Sequence, residues 1–417
     1  MISVEEFADQ AAQWLREHGE PKTATDDGDL VWGEGEFSVA VFHALLDDEE
    51  RTLLEDLKSW NLKKAERGYH AITWPEEYGG LGLTTRHARS FSRLESGYAL
   101  PARHETFSVT TRLIAPTVDL FGTDEQKERL VAALLSSKVL CCQLFSEPGA
   151  GSDLAGLGCR AVRDGAEWVI NGQKVWSSGA QFSEWGELIA RTDVEAPKHK
   201  GMTAFMVPMD TAGIEIRPIR QMSGGTSFNE VYFDEVRIPD TLRLGPEGEG
   251  WRVALTTLGF ERDHSDSSGG KARAGGSWHQ LLATAQALGV NRDPVIRQKM
   301  AGMYIHTRIE SLTNRRAADI AKAGGTPGPE GSLGKLLWTE GMKRMSDVVS
   351  EILGAALVAD NGQWGTYAWG EHVLGAPGYR IAGGTDEVQR NILGERVLGL
   401  PGEPRVDKGI PWKDVVR

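Results

Sequence analysis

The segment Phe145–Asp153, with the sequence FSEPGAGSD, holds the residue types best suited to binding a small molecule. Ser146 and Ser152 bracket a proline and two glycines, one of them Gly151. The proline fixes the backbone turn, and the glycines lack the Cβ that would keep another molecule at a distance. This composition predicts a loop that offers hydroxyl and backbone N–H groups to a flat polar ligand.

A second segment, Val175–Ser178, adds an indole and further hydroxyls. A tricyclic isoalloxazine ring needs an apolar plate such as Trp176 against one face. It also needs hydrogen-bond partners for its nitrogens and oxygens, which Ser146, Ser178 and backbone groups are suited to supply. A tight turn with a structural tryptophan beside a hairpin accounts for the same residues equally well, since Gly/Ser turns are common. The two segments alone leave both interpretations open.

The spacing of apolar residues changes along the chain, and it predicts the helices and strands that position these two segments. Apolar residues recur at helical spacing through residues 1–138, alternate through 139–245 and return to helical spacing through 246–417. This order predicts an α+β multidomain protein with an N-terminal α-helical domain, a central antiparallel β domain and a C-terminal helical bundle. The β domain is expected to be a barrel or a sandwich. A Rossmann-type dinucleotide fold is not expected, because its glycine-rich strand-to-helix turn is missing from the sequence.

Local signals define individual elements. Asn171 and Gly172 lie between two β-type runs, 167–170 and 173–176, and predict a tight hairpin. Thr123, with Gln126 three residues on, predicts a capped helix start. Further strands are expected at 186–192, 202–208, 213–218 and 229–238, the last with a one-residue slip in its alternation, and helices at 251–263, 272–288, 294–323, 333–360 and 385–398.

Composition restricts the class of partner. The net charge of -13 argues against nucleic acid and anionic membranes. Apolar runs stay shorter than the ~18 residues of a membrane span, and the N-terminus lacks a signal-peptide pattern. The three cysteines lack metal-ligand spacing and favour a reducing compartment, and the ten histidines show no ligand cluster. We therefore expect a cytoplasmic enzyme without a metal site.

Four segments resemble motifs of the acyl-CoA dehydrogenase family in the family's order. These are Ser146–Asp153 (SEPGAGSD), Asn171–Trp176 (NGQKVW), Phe233–Pro239 (FDEVRIP) and Gly384–Ile392 (GTDEVQRNI). The resemblance extends over nearly the whole chain. It implies a helical domain, a β-barrel and a four-helix bundle, which is the order that the hydrophobic period predicts.

The resemblance implies a cofactor, a reaction and a set of contacts. FAD would be held by Phe145, Ser146, Gly151, Ser152, Trp176, Ser177, Ser178, Thr385 and Glu387. The implied reaction is α,β-dehydrogenation of an acyl-CoA thioester, in which a carboxylate removes the α-proton and hydride passes to flavin N5. Ser152 and Arg262 are the expected substrate contacts, and an electron-transfer flavoprotein is the expected electron acceptor.

The carboxylate is not at the family's usual place. Most members carry a glutamate directly before the C-terminal Gly-Thr, where this chain has Gly383. A minority place it on the first bundle helix, and Glu261 stands there on one face with Ala254 and Leu258. A desolvated carboxylate in that position becomes a better base. The alternative is a structural ion pair with a neighbouring cation such as Arg262.

Two family segments are missing. The chain has Ala283 and Gln286–Ala287 where the family has Arg-x-x-Phe-Gly, and 359–365 lacks the segment that contacts a neighbour's FAD. These departures resemble actinobacterial members from steroid side-chain degradation that assemble as α2β2 from two unlike chains. We therefore expect a related partner subunit or self-association, and a bulky acyl group. The alternatives are a flavin oxidase or monooxygenase on the same fold, or a non-catalytic subunit of a heteromeric dehydrogenase.

Overall fold

The computed structural model describes residues 2–22, 30–35, 37–261, 275–322, 328–329, 331–405 and 407–415, with residues 261, 321 and 322 described by their backbone only. Within these ranges, no helix is both long enough and apolar enough to cross a membrane.

The N-terminal part is helical, as the 3.6-residue period predicts. It comprises α1 (Val4–His18), β1 (Glu20–Pro21), α2 (Asp47–Ala65), α3 (Thr85–Glu95), β2 (Tyr98–Ala99), α4 (Glu105–Ser108), a π-helical turn (Val109–Ile114), α5 (Ala115–Phe121) and α6 (Asp124–Leu135). The predicted cap of α6 is confirmed: the Gln126 N–H donates to Thr123 Oγ1, and the Thr123 N–H donates to Gln126 Oε1.

The central part is one eight-stranded sheet. Its strands are β3 (Cys141–Leu144), β4 (Arg160–Asp164), β5 (Glu167–Lys174), β6 (Trp185–Arg191), β7 (Met202–Pro208), β8 (Ile214–Ile219), β9 (Phe228–Pro239) and β10 (Arg243–Leu244). The order is β10-β7-β6-β4-β5-β9-β8, and β3 also pairs with β6. Because β3 and β4 run parallel to β6, the sheet is mixed rather than wholly antiparallel. In the described residues, β8 and β10 remain its two ends, so the pairings do not close a barrel.

The hairpin predicted at Asn171–Gly172 was wrong, and a β-bulge explains the signal. β5 runs straight through both residues, while β9 has one extra residue between the pairs Ile170–Val236 and Gly172–Phe233. The Asn171 side chain accepts a hydrogen bond from the N–H of Glu235, the bulge residue, which has a φ of 50°. The slip predicted in β9 is therefore confirmed, whereas the hairpin joins β4 to β5 instead.

The C-terminal part is again helical. It comprises α7 (Gly250–Glu261), α8 (Trp278–Ala287), α9 (Pro294–Lys322), α10 (Gly331–Leu353), α11 (Trp369–Ile381) and α12 (Asp386–Ile392). Helices α8 to α11 share one core that includes Leu281, Met300, Val349 and Trp369. The prediction of a helix from residue 272 begins outside the described residues, and α11 was missed altogether.

The segment 37–46 packs against the missed helix. A Cβ on Gly375 would lie 2.7 Å from Val41 Cβ, and one on Gly378 would lie 2.6 Å from the Phe42 ring. These glycines let segment 37–46 approach α11 closely, and with Pro377 they lower the helix propensity of the sequence. Tertiary packing therefore decides the conformation here.

Candidate active site

Backbone pairing brings the two predicted flavin segments together. Phe145 follows β3 directly and is buried, and the Ser146 carbonyl accepts a hydrogen bond of 2.9 Å from the Val175 N–H. Ser146 is therefore held beside the residue before Trp176. Gly151 and Ser152, farther along the loop, are exposed.

A buried ion pair that the sequence did not predict fixes this loop. The Lys174 ammonium is fully buried and donates to the Phe145 carbonyl at 2.9 Å and to Glu147 Oε1 at 2.8 Å. The Glu147 carboxylate also accepts from the N–H groups of Gly158, at 2.6 Å, and Cys159, at 2.8 Å. Lys174 follows the polar Gln173, and Glu147 is one of two acids in the loop, so the residue types alone did not mark this pair in the sequence.

Trp176 has the properties of a plate for a planar ligand. Its side chain is 59% exposed, although tryptophan is usually well buried. The residue has a φ of 62°, and its ring packs edge-on against Phe228 with centroids 6.0 Å apart. Ser177 is buried and its hydroxyl has no hydrogen-bond partner among the described residues, while Ser178 is half-buried.

Thr385 and Glu387 lie on a different element. Thr385 caps α12 by accepting from the Val388 N–H at 3.2 Å, and Glu387 is exposed. A chain of ring contacts leads from α11, the preceding helix, to Trp176. Tyr379 stacks on Phe42 at 4.8 Å, Phe42 meets Phe228 at 5.4 Å, and Phe228 contacts Trp176.

The proposed base stands at the last position of α7. Ala254 and Thr257, which precede Glu261 by seven and four residues, are fully buried. The side chain of Glu261 and all of Arg262 lie outside the described residues. Gly383 is exposed and has a φ of 63°, a conformation that favours glycine, so this position provides no carboxylate.

The far end of the loop is anchored to the C-terminal segment. Lys198, on the connection between β6 and β7, donates to both oxygens of Asp153 at 2.9 and 3.0 Å. It also pairs with Asp407, which in turn pairs with Arg405 at 3.2 Å. Because Asp153 follows Ser152 directly, this network holds the exposed end of the loop.

A second buried acid, Glu187, lies beneath α7 and was also missed. It is fully buried on β6 and accepts a hydrogen bond of 2.7 Å from Thr257 Oγ1, which lies 3.0 Å from Thr117 Oγ1. Burial raises the pKa of Glu187 to about 8. The sequence feature that indicates a buried acid here is the single charged residue within the apolar run Trp185–Ala190.

The raised pKa of Glu187 predicts a specific pH dependence of stability. Between its ordinary pKa of 4.5 and about 8, Glu187 is protonated when folded and ionised when unfolded. The folded state holds the extra proton, so the free energy of unfolding falls by about 1.4 kcal/mol per pH unit as pH rises through this window. Glu187→Gln cannot ionise but still accepts from Thr257. We expect its thermal midpoint to decline less steeply from about pH 5 to 8.

The matched control is Glu247→Gln, which changes an exposed acid near the start of α7. Its pH profile should match that of the wild-type protein. Parallel profiles for the wild-type protein and Glu187→Gln would show that Glu187 does not titrate in this window.

Two histidines and a glutamate lie close together, although the sequence spacing predicted no histidine cluster. Glu50 Oε1 lies 2.8 Å from His104 Nε2 and 3.4 Å from His43 Nε2, and one ligand atom of each residue lies within 4.8 Å of the others. However, His104 Nδ1 accepts from the Thr106 N–H, which places the proton of the neutral ring on Nε2. That nitrogen donates to Glu50 and has no free lone pair for a metal. The geometry favours a hydrogen bond between His104 and Glu50, with His43 close by, over a metal site.

The residues around Trp176 fit a flavin ring. An exposed indole, a buried Ser177 hydroxyl that no described residue hydrogen-bonds, and the half-buried hydroxyls of Ser146 and Ser178 lie on adjoining backbone segments. A Cβ on Gly149 or Gly151 would meet no atom of the described part of the chain within 4 Å, so open space lies beside the loop backbone there. Apolar plate, hydroxyls and open backbone are what a planar polar ring requires.

Comparison with known proteins gives a consistent result. Residues 36–138, 142–236 and 248–398 match the models of the acyl-CoA dehydrogenase N-terminal, middle and C-terminal domains. The chain is 34% identical to acyl-CoA dehydrogenase IpdE1 of Mycobacterium tuberculosis, over 97% of this chain and all of the relative.

Two solved structures share the fold. One, described as the Tcur3481-Tcur3483 steroid ACAD, is 27% identical with a TM-score of 0.72, over 96% of this chain and 98% of that one. The other, the ChsE4-ChsE5 complex from Mycobacterium tuberculosis, is 24% identical with a TM-score of 0.68, over 97% of this chain and all of that one. This protein belongs to the acyl-CoA dehydrogenase family of oxidoreductases.

Proposed function

We propose that this chain catalyses FAD-dependent α,β-dehydrogenation of an acyl-CoA thioester, with Glu261 as the base that removes the α-proton. The proposal depends on one observation about two positions at which the family places its catalytic carboxylate. Gly383 offers no carboxylate at the C-terminal motif, while Glu261 ends α7 on the face that carries the buried Ala254 and Thr257. Desolvation of a carboxylate would raise its pKa and make it a better base.

The described residues supply binding and orientation. Trp176 would lie against the flavin ring, the hydroxyls of Ser146 and Ser178 would bond to its edge, and Phe145 and Gly151 would line the loop. Ser177, Ser152, Thr385 and Glu387 complete the proposed contacts. When bound, FAD accepts the hydride that leaves the β-carbon. The Lys174–Glu147 pair fixes the loop before the cofactor arrives, which lowers the entropy lost on binding.

The acyl group is proposed to be bulky. This inference rests on the relative described as a steroid ACAD, which is similar to this chain over nearly its full length. Ser152, exposed at the end of the loop, and Arg262 are the proposed contacts to the thioester substrate. An electron-transfer flavoprotein is the proposed electron acceptor.

The experiment that tests this function is an anaerobic titration of the FAD-loaded protein with a panel of acyl-CoA thioesters. The panel would include straight-chain, branched and polycyclic acyl groups. We expect bleaching of the flavin absorbance by at least one polycyclic thioester, and formation of its α,β-unsaturated product. Absence of bleaching with every thioester would contradict the proposal. Rapid oxygen consumption during aerobic turnover would instead favour an oxidase.

A related partner chain is proposed to complete the cofactor site. Helix α9 exposes Ile305, Ile309 and Leu312, which lie on one face and are 57%, 48% and 57% exposed. An apolar stripe of this kind indicates a protein-protein contact. Residues 359–365, where the family has its contact to a neighbour's FAD, lack that sequence. Together these features support an α2β2 assembly of two related chains.

This assembly predicts the FAD content. The chain purified alone should carry well under one FAD per chain, because it contacts only part of the cofactor. Coexpression with the related dehydrogenase chain from the same source should raise the content several-fold, measured by absorbance and protein quantification. Ile309→Asp should prevent the rise, whereas Lys63→Asp, which changes an exposed residue on α2, should not. One FAD per chain in the lone protein would contradict the prediction.

A further inference from the structure

Two polar side chains lie next to each other on the face of the sheet that α7 covers. Gln143 on β3 is in register with Glu187 on the parallel strand β6. Side chains two residues apart on a strand share a face, and Phe145 and Ile189, two residues farther along these strands, belong to a core with residues of α5 and α7. Gln143 and Glu187 therefore face that same apolar core.

Each of these two side chains has a buried polar atom that no described residue hydrogen-bonds. The atoms are Nε2 of Gln143 and Oε2 of Glu187. An amide donor and a carboxyl oxygen on neighbouring strands, about 4.8 Å apart, are complementary partners. Gln143 lies three residues before Ser146, a proposed flavin contact. This side of Glu187 therefore faces the strand that leads into the flavin loop.

The other oxygen of Glu187 connects the acid to the helices. Glu187 Oε1 accepts from Thr257 Oγ1 on α7 at 2.7 Å, and Thr257 Oγ1 lies 3.0 Å from Thr117 Oγ1 on α5. Thr117 is itself fixed, because its hydroxyl donates to the Leu113 carbonyl at 2.8 Å. Thr257 stands about one helical turn before Glu261, the proposed base. Glu187 thus lies between the strand of the flavin loop and the helix of the base.

Stability does not account for an acid at this position. Moving a carboxyl group into an apolar core costs free energy unless its hydrogen bonds are replaced, and burial raises the pKa of Glu187 to about 8. Among the described residues, only one of its two oxygens has a hydrogen-bond partner. An apolar side chain of similar length would fill the space at a lower cost. Polar groups that weaken a core in this way are expected at positions that serve function.

We infer that Glu187 is a positioning residue that holds α7, and with it the proposed base Glu261, at a fixed distance from the flavin loop. It acts through Thr257 on the helix and through Gln143 on the strand that leads into the loop. The inference rests on the proposed function, because it takes Glu261 as the base and the loop as a flavin contact. Proton transfer depends steeply on geometry, so a small shift of α7 slows the reaction without preventing binding.

Anaerobic stopped-flow measurement of flavin reduction by a reactive acyl-CoA at pH 7 tests this role. Glu187→Met fills a similar space without hydrogen bonds. We expect it to reduce the flavin about tenfold more slowly at saturation, with little change in the half-saturating substrate concentration. Its thermal midpoint should be no lower than that of the wild-type protein, because an apolar group replaces a buried acid. Glu187→Gln can bond to both partners and should stay within about threefold of the wild-type rate.

A double-mutant comparison shows whether the acid acts through α7. Thr257→Val removes the hydroxyl that bonds to Glu187 and should slow reduction to a similar extent. Because both changes break one contact, Glu187→Met combined with Thr257→Val should be no slower than either single variant. Multiplied losses would indicate independent damage and would overturn the inference. The matched control is Thr256→Val on the same helix, whose hydroxyl donates only to the Arg252 carbonyl, and it should react at the wild-type rate.

Amide hydrogen exchange separates this inference from the proposed function, since it needs no substrate. In the FAD-loaded protein, Glu187→Met should increase exchange of the α7 amides several-fold, whereas Thr256→Val should not. If no thioester reduces the flavin, the proposed function fails, while exchange in α7 still decides whether Glu187 holds the helix. Unchanged exchange in Glu187→Met would overturn the inference. A wild-type rate of flavin reduction in this variant would also overturn it.

Discussion

Glu261→Gln is expected to keep FAD bound and to slow flavin reduction by substrate by roughly a hundredfold to ten-thousandfold. Glutamine preserves the size and polarity of the side chain, but it cannot accept the α-proton. Gly383 leaves no carboxylate at the other family position, so a second residue does not take over there. Anaerobic stopped-flow measurement of flavin bleaching, at saturating acyl-CoA, isolates the step that this substitution affects.

Two further variants define the result. Glu247→Gln changes an acid of the same type three residues before α7 and should reduce the flavin at the wild-type rate. Glu261→Asp keeps a carboxylate on a shorter side chain and should retain intermediate activity, because proton transfer depends on reach as well as on basicity. If Glu261→Gln bleached within a few-fold of the wild-type rate, the base would have to be another group.

The order of helical and β parts could be predicted because each hydrophobic period extends over many residues. The buried positions Val231, Phe233, Val236 and Ile238 even predict the slip within β9. A hydrophobic period that extends over many residues is little affected by single exceptions. The three-part architecture could therefore be predicted from one sequence.

Local signals failed where distant residues decide the conformation. Asn171 is a turn residue by propensity, yet its side chain bonds to Glu235 across the sheet. Pro377 and three glycines weaken the prediction of α11, whereas contact with Val41 and Phe42 stabilises it. In both cases the partner lies more than sixty residues away, beyond any sequence window.

In the candidate site too, some residues could be predicted from the sequence, whereas others depend on contacts between distant segments. The loop Phe145–Asp153 and Trp176 were found because their residue types are unusual and close in sequence. Lys174 lies within the family-like segment Asn171–Trp176, but its role depends on burial and on contact with Glu147, which a sequence does not show. Lys198 and Arg405 meet only because the C-terminal segment returns to the sheet.

Lys174→Met is expected to destabilise the protein by about 3–5 kcal/mol and to weaken FAD binding strongly, because it breaks a buried ion pair on one side only. Methionine fills much of the same space but donates no hydrogen bonds. The Phe145 carbonyl loses its partner, and the Glu147 carboxylate retains only the N–H groups of Gly158 and Cys159. The thermal midpoint, measured with and without added FAD, and the FAD Kd report the two effects.

Comparison with two other variants separates the buried pair from a loss of charge in general. Adding Glu147→Gln to Lys174→Met removes the unpaired buried charge, so the double variant should recover part of the lost stability. Lys343→Met breaks an exposed pair with Asp347 on α10 and should change the free energy of unfolding by less than about 1 kcal/mol. A Lys174→Met protein that melts and binds FAD like Lys343→Met would show that the loop does not depend on this ion pair.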